Sequence, residues 1–320
     1  MEYIEAENLR QQLADGVENL WIPSPKLKYY ETGSELLEII LSDEKYYLAR
    51  KEQELIDLHY RSIMDFGDYS CKHTIIDLGS GSGKKTLPFL KEALERFQGV
   101  YYVPIDTAQS AIDLCHKNVE TEFPGLPVIS YTDSWEICMK SDFYNRFRDT
   151  NITVFLLGST IGNFSESESL AFISKFMDIF SSIENSRLVV IFDSAPSEHK
   201  SVEVIEDAYN SEAMEKIDWH MIKMINKYLE IDIPLDKLKR CSEFDHSQKA
   251  LVRWMELTED CTISYTPKNQ KLKLLRKGTR IQTEISRKYS QEDIVMMQKN
   301  ALTKIWMTPD YYYMCAAFQP

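Results

Sequence analysis

Residues 73–91 read HTIIDLGSGSGKKTLPFLK. A β-branched apolar run, Thr74, Ile75 and Ile76, leads through Asp77 and Leu78 into three glycines at alternate positions, Gly79, Gly81 and Gly83. Beyond Lys84, Leu87, Leu90, Ala93 and Leu94 follow at helical spacing. The pattern predicts a buried strand over 74–78, a tight glycine turn and a helix over 84–97. Glycine suits such a turn because a Cβ resists the backbone angles it needs. A ligand can also approach backbone that carries no side chain. The helix start adds unpaired N–H groups.

Residues 99–106, GVYYVPID, form a second strand-like run ending in Asp106. In Rossmann-type sheets an acidic residue after the second strand binds ribose hydroxyls, about twenty residues beyond the glycines. Here the separation is somewhat longer. The GxxxxGK[ST] spacing of a phosphate-gripping loop is absent. A nucleoside without phosphates therefore fits best, and S-adenosylmethionine is the common cofactor of that kind.

The chain has 320 residues, 43% of them hydrophobic, enough for one large domain or two small ones. Its net charge of −13 argues against nucleic-acid and anionic-membrane partners, because it repels phosphates. The six cysteines, Cys71, Cys115, Cys138, Cys241, Cys261 and Cys315, form no CxxC pair, and none stands near a histidine at metal-ligand spacing. We expect reduced thiols, no metal and a cytoplasmic protein. The opening MEYIEAENLRQQLADGVENLW lacks the apolar core of a signal peptide, and no run is long enough to span a membrane.

Residues 2–20 read as an amphipathic helix, 21–26 as a proline-broken linker and 27–66 as helical and tyrosine-rich. From 73 to 195 strands and helices alternate, with strands expected at 74–78, 100–105, 127–132, 152–157 and 187–193. That rhythm predicts a doubly wound parallel sheet. Residues 152–164, ITVFLLGSTIGNF, put Gly158 and Asn163 at a strand's carboxyl end, where ligands bind in such sheets. Residues 196–240 look mainly helical. Residues 247–266 and 271–290 read as two long β segments around TPKNQ. Residues 291–304 read as a last helix and 311–318 as a last strand. In RIQTEISRKY, Glu284 and Ser286 project from one face, as a solvated strand face would also do. In QKALVRWMEL, Arg253 shares a face with Leu251, Met255 and Leu257. Its head either reaches water along the strand edge or is paired in the interior.

The order and spacing of five blocks resemble the bacterial L-histidine Nα-methyltransferases that form hercynine for ergothioneine. The likeness to fungal dimethylallyltryptophan N-methyltransferases is weaker. The blocks are KYYETGSELLEIIL with EKYYLARKEQELI, DLGSGSGKKT, LLGSTIGNF, EDAYN and TEISRKY. The resemblance implies an α/β fold, with a Rossmann-type class I methyltransferase sheet at 67–195 and its return at 291–320. A second, α+β substrate-binding domain would come from both chain ends, 1–66 and 196–290. Gly79, Gly81, Lys85, Asp106, Asp133 and Ser134 would bind S-adenosylmethionine. Asn163 and Tyr209 would hold the substrate's amino-acid head group, beside Gly158. Tyr30 would stand near the reacting amine, and Tyr47, Glu284 and Ser286 at the imidazole. Two departures fall on the substrate side: Arg253 replaces a frequent methionine, which would put it in the substrate pocket with Glu284 as its nearest partner, and His220 replaces a usual asparagine.

Methyl transfer from a sulfonium to a neutral amine is an in-line displacement that positioning and desolvation can accelerate. It needs no metal and no covalent nucleophile. The expected partner is a small amino acid, most simply histidine, with tryptophan, tyrosine or a derivative as alternatives. The chain is expected to act as a monomer. A nicotinamide dehydrogenase would use the same glycines and Asp106 but lacks a hydride partner here. A cofactor-binding homologue without turnover is the remaining class.

Overall fold

The computed structural model describes residues 19–21, 32–229, 232–265 and 270–320. Tyr30, residues 2–18 of the expected first helix and 22–26 of the expected linker lie outside them, and residues 19 and 20, expected to end that helix, are strand instead. The short strand β1 (Asn19–Trp21) precedes two helices, α1 (Gly33–Ser42) and α2 (Tyr47–Ile63). An alternating stretch follows: β2 (Lys72–Leu78), α3 (Leu87–Arg96), β3 (Val100–Asp106), α4 (Gln109–Glu122), β4 (Tyr131–Thr132), β5 (Thr150–Leu156), α5 (Glu166–Phe180) and β6 (Ser186–Asp193). Helices α6 (Val202–Ala208) and α7 (Glu212–Leu229) lead into five strands, β7 (Leu238–Asp245), β8 (Ala250–Leu257), β9 (Cys261–Tyr265), β10 (Gln270–Leu275) and β11 (Arg280–Arg287). The chain closes with α8 (Gln291–Met297), β12 (Leu302–Met307) and β13 (Tyr313–Phe318).

Two compact units result. The first holds the described residues of Met1–Ala49 with Pro196–Ser286, and the second Arg50–Ala195 with Arg287–Pro320. The sequence reading drew its boundaries at 66, 195 and 290 instead.

The second unit is built on a seven-stranded sheet in the order β12-β13-β6-β5-β2-β3-β4. The pairs among β6, β5, β2, β3 and β4 are parallel, and β13 and β12 add antiparallel at one edge. The sheet is therefore mixed, not wholly parallel. Strands such as β6, SRLVVIFD, are buried along their whole length, as expected where helices cover both faces. One face packs Ile76, Val154, Val190 and Ala316 against Phe172, Ile173 and Phe176 of α5. Ser165 and Glu168 start α5 with a capping box, and Ser290 and Asp293 do the same for α8.

The first unit carries a four-stranded sheet, β1-β11-β8-β7, and the hairpin β9-β10. Helix α7 lays Met221, Ile222 and Ile225 on Met255, Leu257 and Ile281 of the larger sheet. Helix α1 packs on α7.

The differences from the sequence reading lie at turns. The expected helix over 27–66 breaks between α1 and α2, where the Asp43 side chain accepts from the Lys45 N–H. Helix α3 begins at Leu87 rather than 84, with proline in its first turn. The expected strand 127–132 shrinks to β4 and a single bridge from Tyr102 to Val128. Each long β segment is two strands. Gly278, at φ +85°, turns the chain between β10 and β11, and its N–H donates to the Leu257 carbonyl. Residues 302–304 were expected to be helical, but pairing with β13 makes them strand; tertiary pairing outweighs local propensity there. Leu238–Asp245, read as mainly helical up to 240, is strand paired to β8.

A buried ion pair ties the two stretches of the second unit together. Lys288 Nζ lies 2.5 Å from Asp193 Oδ2, and the side chains are 0% and 1% exposed. Removing one partner of such a pair strands the other charge in the interior. Lys288→Met is expected to cost about 3–5 kcal/mol of unfolding free energy in urea titration. Adding Asp193→Leu should recover much of that loss.

Candidate functional site

The strand order of the second unit reverses between β2 and β5. From β2 the chain goes to β3 and β4 on one side, then returns to β5 and β6 on the other. Ligands of open α/β sheets bind outside the carboxyl ends of the strands at such a reversal. The glycine turn follows β2 there. Gly79, Gly81 and Gly83 have φ of +71°, +53° and +71°. A Cβ on Gly79 or Gly81 would meet nothing within 4 Å, so the space beside the turn is open. On Gly83 it would strike Cys115 Sγ at 2.6 Å, so that glycine is also a packing requirement.

Asp106 ends β3 beside this turn. One carboxylate oxygen accepts from the Gly81 N–H at 2.9 Å and the other from the Ala108 N–H at 3.0 Å. The carboxylate is thereby oriented while keeping lone pairs for further donors. Asp133 and Ser134 follow β4. The Asp133 N–H reaches the Asp106 carbonyl at 3.0 Å, and Asp133 accepts from the Ser134 N–H at 2.6 Å. The loops after three neighbouring strands thus bring the expected cofactor residues to one end of the sheet.

Lys85 has a partner that the sequence reading missed. Its Nζ donates to Glu52 Oε2 at 2.6 Å, while Glu52 Oε1 accepts from the Gly158 N–H at 2.5 Å. Glu52 sits on α2 and is 2% exposed. Its signal was present: Leu48, Leu55, Ile56 and Ile63 form a buried stripe, and Glu52 falls within it. A carboxylate at a core position needs partners.

The turn after β5 is held at several points. Gly158 and Ser159 take φ of +73° and +52°. Ser159 Oγ donates to Tyr313 Oη at 3.0 Å, Tyr289 Oη to the Ile161 carbonyl at 2.9 Å, and Arg287 Nε to the Phe164 carbonyl at 3.2 Å. Asn163 ends the 3-10 turn Thr160–Asn163 in this frame and is half-buried.

Beneath the glycine turn lies Asp77, fully buried. It accepts from Thr86 Oγ1 and, at 2.9 Å, from Tyr102 Oη. Burial pushes its pKa up to about 6, against the pull of those two hydrogen bonds. The Cys115 thiol beside Tyr102 is pushed up to about 11, also by burial.

The first unit gathers the other expected residues. Tyr209 Oη and Ser286 Oγ lie 2.8 Å apart, both buried. Glu284 is buried as well, so this strand face is not solvated. Glu284 Oε2 accepts from the Arg253 guanidinium at 3.2 Å. Arg253 is 3% exposed, so its head does not reach water along the strand edge. Its other arm donates to Asp218 Oδ2 at 3.0 Å, and its Cζ lies 5.7 Å from the centre of the Tyr209 ring. Burial works against the charge, but Asp218 and Glu284 outweigh it and hold the pKa above the ordinary guanidinium value. Asp218, unforeseen, also accepts from Arg240 Nε at 2.7 Å and Thr283 Oγ1 at 3.1 Å. Like Glu52 it interrupts a buried helical stripe, here Met214, Ile217, Met221, Ile222 and Ile225. Tyr47 is buried under the ammonium of Lys200, which lies 4.6 Å from its ring centre. His220 is buried on α7.

Two outcomes are expected. Glu52→Ala leaves the Gly158 N–H and Lys85 without their shared acceptor and should cost about 1–3 kcal/mol in urea unfolding, with weaker S-adenosylmethionine binding in calorimetry. Asp77 gives a pH signature. A carboxyl with a raised folded pKa contributes stability fully below its unfolded value near 3.8 and loses it as pH rises to about 6. Asp77→Asn keeps an acceptor but does not titrate. Relative to wild type it should gain about 2 kcal/mol between pH 4 and 7, read as the difference of two urea series.

Comparison with known proteins bears on this arrangement. The family described as histidine-specific, SAM-dependent methyltransferase matches residues 7–320. The histidine N-alpha-methyltransferase of Mycolicibacterium smegmatis is 23% identical over 277 residues, which cover 85% of this chain and 81% of its own. The protein of that name from Mycobacterium tuberculosis is 22% identical over 254 residues, covering 77% and 74%. The N-methyltransferase fsqC of Aspergillus fumigatus is 24% identical over 303 residues, covering 90% and 76%. The family match extends over the residues of both units, and the chain belongs to the histidine-specific, S-adenosylmethionine-dependent methyltransferases.

Proposed function

We propose that this methyltransferase acts on the α-amine of free L-histidine and carries it to the trimethylated betaine, hercynine. The observation that carries this reading is the buried set Glu284, Ser286 and Tyr209 in the first unit, with Tyr209 Oη 2.8 Å from Ser286 Oγ. Those residue types suit a ring that both donates and accepts hydrogen bonds. The relatives named as histidine N-alpha-methyltransferases support the same substrate.

The cofactor is S-adenosylmethionine, which supplies an electrophilic methyl group when bound. The residues present fit it. The open side of Gly79 and Gly81 leaves room for a nucleoside, and the oriented Asp106 carboxylate suits two ribose hydroxyls. We assign Gly79, Gly81, Lys85, Asp106, Asp133 and Ser134 to this role, and the second unit to the cofactor-binding domain. The first unit is then the substrate-binding domain.

Asn163 and Tyr209 are assigned to the substrate's head group, with Gly158, and Tyr30 to the reacting amine. Aligning a neutral amine removes much of the entropic barrier. Tyrosine faces and oxygens stabilise the cation that grows as methyl groups are added. Tyr47 is assigned to the imidazole. Among the described residues no helix is long and apolar enough to cross a membrane. All six cysteines are free thiols, and with the net charge of −13 they support a cytoplasmic monomer.

The test is a mass-spectrometric screen of the twenty amino acids with S-adenosylmethionine. Mono-, di- and trimethylhistidine are expected, and transfer to another amino acid in preference to histidine rejects the substrate. Within the site, Asp106→Ala should weaken S-adenosylmethionine binding by about 1–3 kcal/mol in calorimetry. Asn163→Ala should raise KM for histidine and leave cofactor affinity nearly intact. Equal losses in both would move Asn163 to the cofactor side.

A further inference from the structure

The charged groups of the first unit meet at Arg253. Asp218 of α7 accepts from Arg240 of β7, Arg253 of β8 and Thr283 of β11, and Glu284 of β11 accepts from the other arm of Arg253. Two arginines and two carboxylates cancel in charge. Arg253 still has a donor to place: its Nε–H is buried and has no acceptor among the described residues. An orphaned buried donor is costly, and it marks where an acceptor belongs.

We propose that Arg253 sets side-chain selectivity. Together with Glu284 it receives an uncharged side chain offering one hydrogen-bond donor and one acceptor, and it rejects cationic side chains. This rests on the reading that Glu284, Ser286 and Tyr209 face the substrate. A neutral imidazole fits: its N–H donates to Glu284 and its bare nitrogen accepts from the guanidinium. Imidazolium has two donors and no acceptor. It would also lie beside a guanidinium with no net negative charge left to hold it. Lysine and arginine fail for the same reason. A phenol passes, since its oxygen both donates and accepts.

Among the described residues, the charged and titratable groups acting on Arg253 are Asp218 on α7, Glu284 on β11 and the phenols of Tyr46 and Tyr209, with Arg240 of β7 bonded to Asp218 and His220 two residues from Asp218 along α7. Of these types, only histidine has an ordinary pKa between 5.5 and 7.5. A His220→Asn background leaves the imidazole of the substrate as the group under test near Arg253, and comparison with Arg253→Met cancels titration elsewhere, such as that of Asp77.

In that background, the Kd of L-histidine is measured by calorimetry with S-adenosylhomocysteine present, at pH 7.5 and 5.5. The neutral fraction of an imidazole falls about tenfold between those values, so binding should weaken about tenfold. Arg253→Met leaves a net negative charge and should abolish or invert that drop, with lysine gaining affinity. Equal affinity at the two pH values overturns the proposal. So does a drop that survives Arg253→Met, or tightest binding to lysine or arginine. If tyrosine binds and histidine does not, the histidine assignment fails and this proposal stands. If Glu284→Gln leaves every affinity unchanged, the reading of the site fails and the proposal falls with it.

Discussion

A single carboxylate holds the loops on both sides of the strand-order reversal. Glu52 offers one oxygen to Lys85, in the loop after β2, and the other to the Gly158 N–H, in the loop after β5. Both loops contain left-handed residues, which relax elsewhere unless surrounding contacts over-determine them. Side chains from the closing segment then fix the rest of the loop after β5 through Tyr289, Arg287 and Tyr313. The open space beside Gly79 and Gly81 thus has rigid walls without any bulk on the glycines themselves. Preorganisation of this sort lowers the entropy lost when a ligand binds.

Much of this was legible in the chain. The parallel strands are apolar runs buried on both faces, so β2, β3, β5 and β6 could be placed within a residue or two. The glycine turn and Asp106 are a local signal of known geometry. Hairpin corners were harder, because one glycine at 278 and one acidic turn at Asp260 interrupt runs that otherwise alternate without a break. Strand β12 was masked by helical propensity that its pairing with β13 overrides.

At the site, a lone arginine among apolar neighbours signals a need for a partner or for water, and the family resemblance supplied Glu284 as the partner. Glu52 and Asp218 could not be paired in advance, since their partners lie 33 and 35 residues away. Both nonetheless break a buried helical stripe. An acidic residue in the middle of an apolar face is a usable warning that a cation waits on another element, even when the cation cannot be named.

The second unit is interrupted by the first along the chain, and this shapes how the molecule is made. During synthesis, β6 emerges with one edge bare, and the residue that neutralises Asp193 lies 95 positions downstream. An unpaired strand edge invites wrong partners. Closure of the sheet must wait for β13, and long-range pairing of that kind is slow. That edge of the nascent chain therefore stays vulnerable until Lys288, and after it β13, have been made.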